Sequence, residues 1–264
     1  MMLEGFVQHD GLRIYYAVEQ QIAAAKTKPE RFVVLTHGWG SDSAANWRDT
    51  GWVKALTPMS TVVLLDVRGH GRSSKPLHPT RYSYASMSTD VLAVLDALQI
   101  RTADFLGYSM GAFMGAWLAG HHPDRLGRVV LGGIGDETAD SAAAATGIAA
   151  ALRAASMADI ADPAGRGVRR FVAANPRNDL FALAVSALQM WPEGYPLQLL
   201  GDKVGNARMP ILLVNGSADY PYVTSGDAIA AALPDAQHVQ IQGTDHLTTV
   251  TDPRFIEVVK NFLG

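Results

Sequence analysis

Ala103-Asp104-Phe105-Leu106-Gly107-Tyr108-Ser109-Met110-Gly111-Ala112-Phe113-Met114 is the stretch on which the fold turns. A short apolar run ends at Gly107, the pattern G-x-S-x-G follows, and Met114, Trp117 and Leu118 carry on with helical spacing. Glycines flanking the serine let the chain reverse direction without Cβ clashes, which projects the Ser109 hydroxyl beyond the end of the strand.

The same layout recurs along the chain. Phe32 to Leu35 leads into His37-Gly38-Trp39-Gly40, and Thr61 to Asp66 leads into Arg68-Gly69-His70-Gly71. Arg128 to Leu131 precedes Gly132-Gly133, and Ile211 to Asn215 precedes Gly216. Helical periods lie between these runs, clearest at Met87, Val91, Val94, Leu95 and Leu98, which predicts a helix capped by Ser86 or Ser88. Alternating apolar and polar residues around Asp10-Gly11 predict an amino-terminal β-hairpin. Strand-helix alternation of this kind implies a mostly parallel central sheet flanked by helices, with ligands bound beyond the carboxyl ends of the strands.

One region breaks the rhythm. From 137 to 208 no strand-like run occurs, and Ala-rich or amphipathic segments are separated by Pro163, Pro176, Pro192 and Pro196. The expected organisation is therefore a core of 1–136 and 209–264 with a helical lid, 137–208, inserted in it. Its apolar residues, Phe181, Leu188, Met190 and Trp191 foremost and Phe171 among the others, are expected to line a substrate pocket together with Tyr108 and Leu247.

Composition narrows the function. The 264 residues carry 22 Lys and Arg against 25 Asp and Glu, a net charge of −3, with no block of basic residues, so nucleic acid is a poor partner. No apolar run reaches the ~18 residues of a membrane span, and the first residues have no leader-like pattern, which leads us to expect a cytoplasmic protein. The absence of cysteine removes thiolate metal sites and cysteine nucleophiles, so covalent catalysis must use oxygen or nitrogen. No His-Glu-x-x-His pattern occurs, and Gly133-Ile134-Gly135 lacks a third glycine at Thr138 and follows a late strand. Neither a metal nor a dinucleotide cofactor is expected.

A serine hydroxyl needs a base at neutral pH, and eight histidines compete for that task. His9, His78, His121, His122 and His238 sit in a hairpin, a Pro-flanked loop, a helix end and a strand. His246 instead follows Ile241-Gln242-Gly243-Thr244-Asp245, a strand passing into a loop at the edge where Ser109 must lie. The base in turn needs a carboxylate. Asp219, in Gly216-Ser217-Ala218-Asp219, is the first candidate and Asp136 the second, while Asp245 is too near in sequence to reach its neighbour's ring.

Four motifs taken together resemble the α/β-hydrolase family. They are His37-Gly38-Trp39-Gly40, Asp66-Val67-Arg68-Gly69-His70-Gly71-Arg72-Ser73, Gly107-Tyr108-Ser109-Met110-Gly111, and Gly216-Ser217-Ala218-Asp219 paired with Gly243-Thr244-Asp245-His246. The resemblance implies that the backbone amides of Trp39 and Met110 form an oxyanion hole, that Trp39 walls the acyl pocket, and that no cofactor takes part. It argues against dehalogenase and epoxide hydrolase activities, which use Asp where this chain has Ser109. The expected function is serine hydrolysis of a carboxylic ester on a small or medium, mainly apolar molecule. A cofactor-free perhydrolase or haloperoxidase, a carbon–carbon bond hydrolase and a ligand receptor of the same fold remain as alternatives.

Overall fold

A computed structural model describes residues 2–20, 31–136, 141–191 and 196–264. The strands are β1 (Met2–His9), β2 (Leu12–Glu19), β3 (Phe32–Thr36), β4 (Thr61–Leu65), β5 (Ala103–Tyr108), β6 (Leu126–Gly132), β7 (Ile211–Gly216) and β8 (Ala236–Ile241). They form one sheet in the order β1-β2-β4-β3-β5-β6-β7-β8. The first two make the expected hairpin, in register from Met2 opposite Glu19 to His9 opposite Leu12, and Asp10 and Gly11 take the positive φ angles of its two-residue turn. β2 meets β4 antiparallel, and every later pairing is parallel.

Strands β3 to β7 are almost entirely buried because helices cover both faces. Alternate side chains divide between two cores. Val34, Val63, Phe105 and Leu131 pack beneath α2 (Tyr84–Ala97), α3 (Met110–His121) and α8 (Gly226–Ala232), while Val33, Leu64, Leu106 and Leu212 face α1 (Trp52–Leu56) and α9 (Pro253–Leu263). The chain leaves β3 toward β4 on one side and later leaves β5 toward β6 on the other. The loops after β3 and β5 therefore flank the point where the winding reverses, which is where open α/β sheets form their crevice.

The predicted cap of α2 is displaced by one turn. The helix begins at Tyr84 with Ser83 as N-cap, its hydroxyl accepting the Ser86 amide, and Ser88 is buried with its hydroxyl donating to the Met114 carbonyl. The extra turn places Tyr84 against Phe113, ring centroids 5.4 Å apart, a tertiary contact that spacing alone does not reveal.

Between β6 and β7 the described residues contain no strand. α4 (Ser141–Arg153), α5 (Pro163–Ala173) and α6 (Leu180–Met190) pack on one another around Ala149, Leu152, Val172, Leu183 and Ala184. Asp162 and Asp179 cap the last two, each accepting two backbone amides. α7 (Pro196–Leu200) and the 3-10 turn Gly201–Asn206 behave differently, lying along α3 with Leu200 against Gly120. They belong to the layer flanking the sheet, so the separate helical cluster is shorter than the expected 137–208. Thr138, Pro192 and the other residues of 137–140 and 192–195 lie outside the described residues.

Candidate active site

β5 ends at Tyr108 and α3 starts at Met110, which leaves Ser109 alone at the turn with φ 51° and ψ −118°. Such angles cost about 1–3 kcal/mol for a residue with a side chain and persist only where the surroundings dictate them. The Ser109 amide donates to the Gly132 carbonyl at 2.8 Å, and its own carbonyl accepts the Ala112 and Phe113 amides at 2.7 and 3.1 Å. The flanking glycines are needed for space: a Cβ on Gly107 would lie 2.3 Å from the Gly111 carbonyl oxygen, and one on Gly111 would lie 2.2 Å from that of Thr36.

The loop after β8 brings His246 to this serine. The Ser109 hydroxyl lies 3.0 Å from His246 Nε2, and His246 Nδ1 lies 2.9 Å from Asp219 Oδ1. Asp219 is buried, whereas the His246 side chain is 32% exposed, so the imidazole is reachable from the site while its carboxylate partner is shielded. Two bonds stitch the loops carrying them together, from the Ser217 amide to the Ile241 carbonyl and from the Ala218 amide to the Thr244 carbonyl. The rings of Tyr108 and Tyr222 flank the imidazole with centroids 5.5 and 5.1 Å away. The Tyr108 hydroxyl donates to the His246 carbonyl at 2.7 Å, and burial raises its pKa, which keeps the proton on that oxygen.

The other acids stand apart. Asp136 is exposed, and its backbone amide donates to Ser225 Oγ. Asp245 is spent on its own turn, accepting the Leu247 and Thr248 amides and the Thr248 hydroxyl.

The β3 loop closes the other side. The Ser41 amide bonds the Gly38 carbonyl at 3.2 Å, and the Gly38 amide donates to Asn46 Oδ1 at 3.0 Å. Among the described residues neither the Trp39 nor the Met110 amide has a hydrogen-bond acceptor, and Met110 opens α3, whose dipole is positive at that end. The Trp39 side chain turns up into the helical cluster, its Nε1 donating to Ser186 Oγ on α6 at 2.9 Å and its ring 5.2 Å from that of Trp191. Next to it, buried Asp42 accepts Asn175 Nδ2 at 2.7 Å and Arg177 Nε at 2.8 Å, and Asn178 Nδ2 donates to the Gly40 carbonyl at 2.7 Å. Burial disfavours the Asp42 carboxylate, but the donors from Arg177, the Ala45 amide and Asn175 outweigh it and hold its pKa well below the usual value.

Behind this loop His37 and His70 are fully buried with rings 5.1 Å apart. His37 Nε2 accepts the Val67 amide and its Nδ1 bonds the Gly38 carbonyl, so the ring links two loops as a neutral group. Desolvation lowers the pKa of both and brings that of His70 to about 3. His9, His78, His121 and His238 likewise make local hydrogen bonds away from Ser109. No group of three or more His, Asp or Glu among the described residues could hold a metal ion.

A cavity of about 470 Å³ opens over Ser109 and His246. Residues 31–178 match the family model described as the alpha/beta hydrolase fold. The chain belongs to the α/β-hydrolase fold family. A Caulobacter segnis protein named carbamate hydrolase RutD is 33% identical over 252 residues, 88% of this chain and 90% of its own. The enol-lactonase named 3-oxoadipate enol-lactonase 2 of Acinetobacter baylyi is 49% identical over 70 residues, 26% of either protein. A solved hydrolase from Pseudomonas aeruginosa superimposes with a TM-score of 0.80 at 29% identity, covering 99% of this chain and 98% of that one.

In this α/β-hydrolase the described residues lining the cavity include no Asp, Glu, Lys or Arg. Tyr108, Met190, Trp191 and Leu247 line it, as does Phe171. Phe181 and Leu188 do not. Phe181, the second residue of α6, is 59% exposed, and Leu188, partly buried, packs against the helical cluster. The spacing of apolar residues on α6 does not say which face points down, and the side carrying Ser186 and Met190 is the one that faces the core. Sequence reasoning also passed over Gly38, Asn46, Phe113 and Tyr222, which line the cavity from the core. Of these only Gly38 carried a signal, as part of the glycine-rich β3 loop.

Proposed function

We propose that this α/β-hydrolase is a serine hydrolase that cleaves a carboxylic ester of a small or medium, mainly apolar substrate through an acyl-enzyme. The observation that carries the reading is the continuous hydrogen-bond chain from buried Asp219 through His246 to Ser109, beside a cavity whose described lining is mostly apolar. His246 Nε2 takes the Ser109 proton as Oγ adds to the carbonyl carbon, and Asp219 holds the ring in the tautomer that leaves Nε2 free. The amides of Trp39 and Met110 receive the negative oxygen, and fixed donors of this kind contribute about 2.7–4 kcal/mol each when they face the transition state. His246 then gives its proton to the departing alcohol, and a water deprotonated by the same nitrogen attacks the acyl group and restores Ser109. Residues 141–191 act as the cap that shapes the acyl pocket through Phe171, Met190 and Trp191.

The test is steady-state hydrolysis of p-nitrophenyl esters from acetate to long acyl chains by wild type and Ser109→Ala. Turnover abolished by the substitution supports the reading. Turnover that survives it would place the chemistry elsewhere.

One observation favours a second reading, carbamate cleavage: a relative 33% identical over 88% of the chain is named for it. The same proton transfers serve a carbamate carbonyl. An aryl carbamate processed with a higher kcat/KM than the matched ester would decide for it.

A further inference from the structure

Among the described residues five buried side-chain polar atoms lack a hydrogen-bond partner: Asn46 Nδ2, Trp47 Nε1, His70 Nε2, Asn178 Oδ1 and Asp219 Oδ2. Of the residues that carry them only Asn46 lines the cavity. It sits in a π-helical turn, Ala44–Arg48, closed by the Asp49 amide on the Ala44 carbonyl at 3.0 Å. Turns of this width break the regular helical ladder and recur at functional sites.

The two ends of the Asn46 amide have different fates. Oδ1 accepts the Gly38 amide at 3.0 Å, and because a backbone N–H can only donate, the other end must be the NH2 group. The residue is only 6% exposed, and a buried donor left without an acceptor is costly. The neighbouring Thr50 hydroxyl donates to the Asn46 carbonyl at 2.6 Å, but it makes no hydrogen bond with Asn46 Nδ2. A methyl built on Gly38 would lie 3.5 Å from Ser109 Cβ and 3.7 Å from Asn46 Oδ1, so a single glycine separates this amide from the nucleophile. The leaving oxygen must face His246, whose loop is a different one. What Asn46 meets on the β3 side is the acyl part.

We infer that Asn46 is a specificity-determining residue whose Nδ2 donates to an oxygen carried by the acyl group a few atoms from the scissile carbonyl. The inference rests on the ester-hydrolase reading and names the substrate class within it: acyl groups bearing an ether, keto or hydroxyl oxygen in preference to plain alkanoyl groups.

Two matched pairs of p-nitrophenyl esters test it, methoxyacetate against butanoate and 3-methoxypropanoate against pentanoate, since each pair differs by one oxygen in place of a methylene. The ratio of kcat/KM within a pair, divided by the same ratio for hydroxide, removes intrinsic reactivity. Wild type should favour the oxygenated member of at least one pair by about 10-fold. Asn46→Asp keeps an acceptor for the Gly38 amide but has no donor, and it should bring that ratio to one or below, mainly by raising KM for the oxygenated ester. Asn46→Ala, which loses both functions, should lower both members and also erase the preference. A wild type without preference overturns the inference, and so does an Asn46→Asp enzyme whose preference is unchanged. Phosphonate labelling separates this failure from that of the wider reading: an adduct on Ser109 with no preference sinks only the role of Asn46, whereas no adduct on Ser109 sinks the serine hydrolase.

Discussion

Ser109 is held at backbone angles that few residues with a side chain adopt, and the space around it explains why the neighbours are glycines. Adding one methyl at Gly111 would drive it into the Thr36 carbonyl, which belongs to the adjacent strand and cannot rotate away. Gly111→Ala is therefore expected to destabilise the fold by at least about 3 kcal/mol, read as a loss of soluble protein or a large fall in Tm. An alanine at Ser109 should behave in the opposite manner, with Tm nearly unchanged and activity gone. Asp219→Asn tests the orientation of His246: kcat should fall by about 10⁴ with little change in KM, and a small effect would mean that the buried carboxylate is not what sets the imidazole tautomer.

The loop 175–178 between α5 and α6 is tied to the β3 loop by Asn175, Arg177 and Asn178, next to the Trp39 amide. Loosening the cap should therefore disturb the site beneath it. Arg177→Ala removes one donor from the Asp42 carboxylate, and because Arg177 is partly exposed the cost to stability is expected to be modest, about 1 kcal/mol. Amide hydrogen exchange should rise in α5 and α6 ahead of the sheet, and KM should rise with it. Exchange that rises uniformly would contradict a cap latched through this pair. Face assignments on α6 give a sharper check: Trp191→Ala should shift acyl-chain preference, while Phe181→Ser, on the outer side, should leave kinetics unchanged.

Elements differ in how much of them the sequence discloses. The strands β3 to β7 are legible as short apolar runs leading into glycine-containing loops because burial on both faces leaves little choice of residue, and the β1–β2 turn is legible because Asp10-Gly11 suits positive φ. That Ser109, His246 and Asp219 meet at one edge is legible because each lies in a loop or turn after a strand of the one sheet. The start of α2, the downward face of α6 and the affiliation of α7 with α3 are decided by tertiary contacts, namely Tyr84 on Phe113, Trp39 on Ser186 and Leu200 on Gly120. Asn46 is the clearest omission. Nothing in Ala44-Ala45-Asn46-Trp47 announces that one end of its amide is spent on Gly38 and the other left unpaired.

Across the whole molecule the buried histidines make stability depend on pH. His70 has a pKa of about 3 in the folded protein, and that of His37 is lowered in the same direction, both mainly through desolvation. The unfolded chain takes up these protons near the ordinary value of 6.5, so below that pH it binds more protons than the native state. The stabilisation is complete above pH 6.5 and is lost as pH falls toward the folded values, at up to about 1.4 kcal/mol per pH unit for each ring. Asp42 adds to the loss at lower pH, since its folded pKa is also lowered. Tm measured from neutral pH into the acid range should therefore fall, and the slope should be shallower in His70→Gln, which has no proton to take up. Equal slopes would mean that His70 is not among the groups that open this protein in acid.

Ser109 Oγ is expected to be the atom that bonds to substrate carbon, and mass spectrometry after brief reaction with a p-nitrophenyl ester, quenched in acid and digested, tests that directly. An acyl adduct is expected on the peptide containing Ser109, absent from Ser109→Ala and strongly reduced in His246→Ala. Rapid release of p-nitrophenol with the acyl group on another residue, or with no acyl-enzyme at any time of quenching, would contradict it.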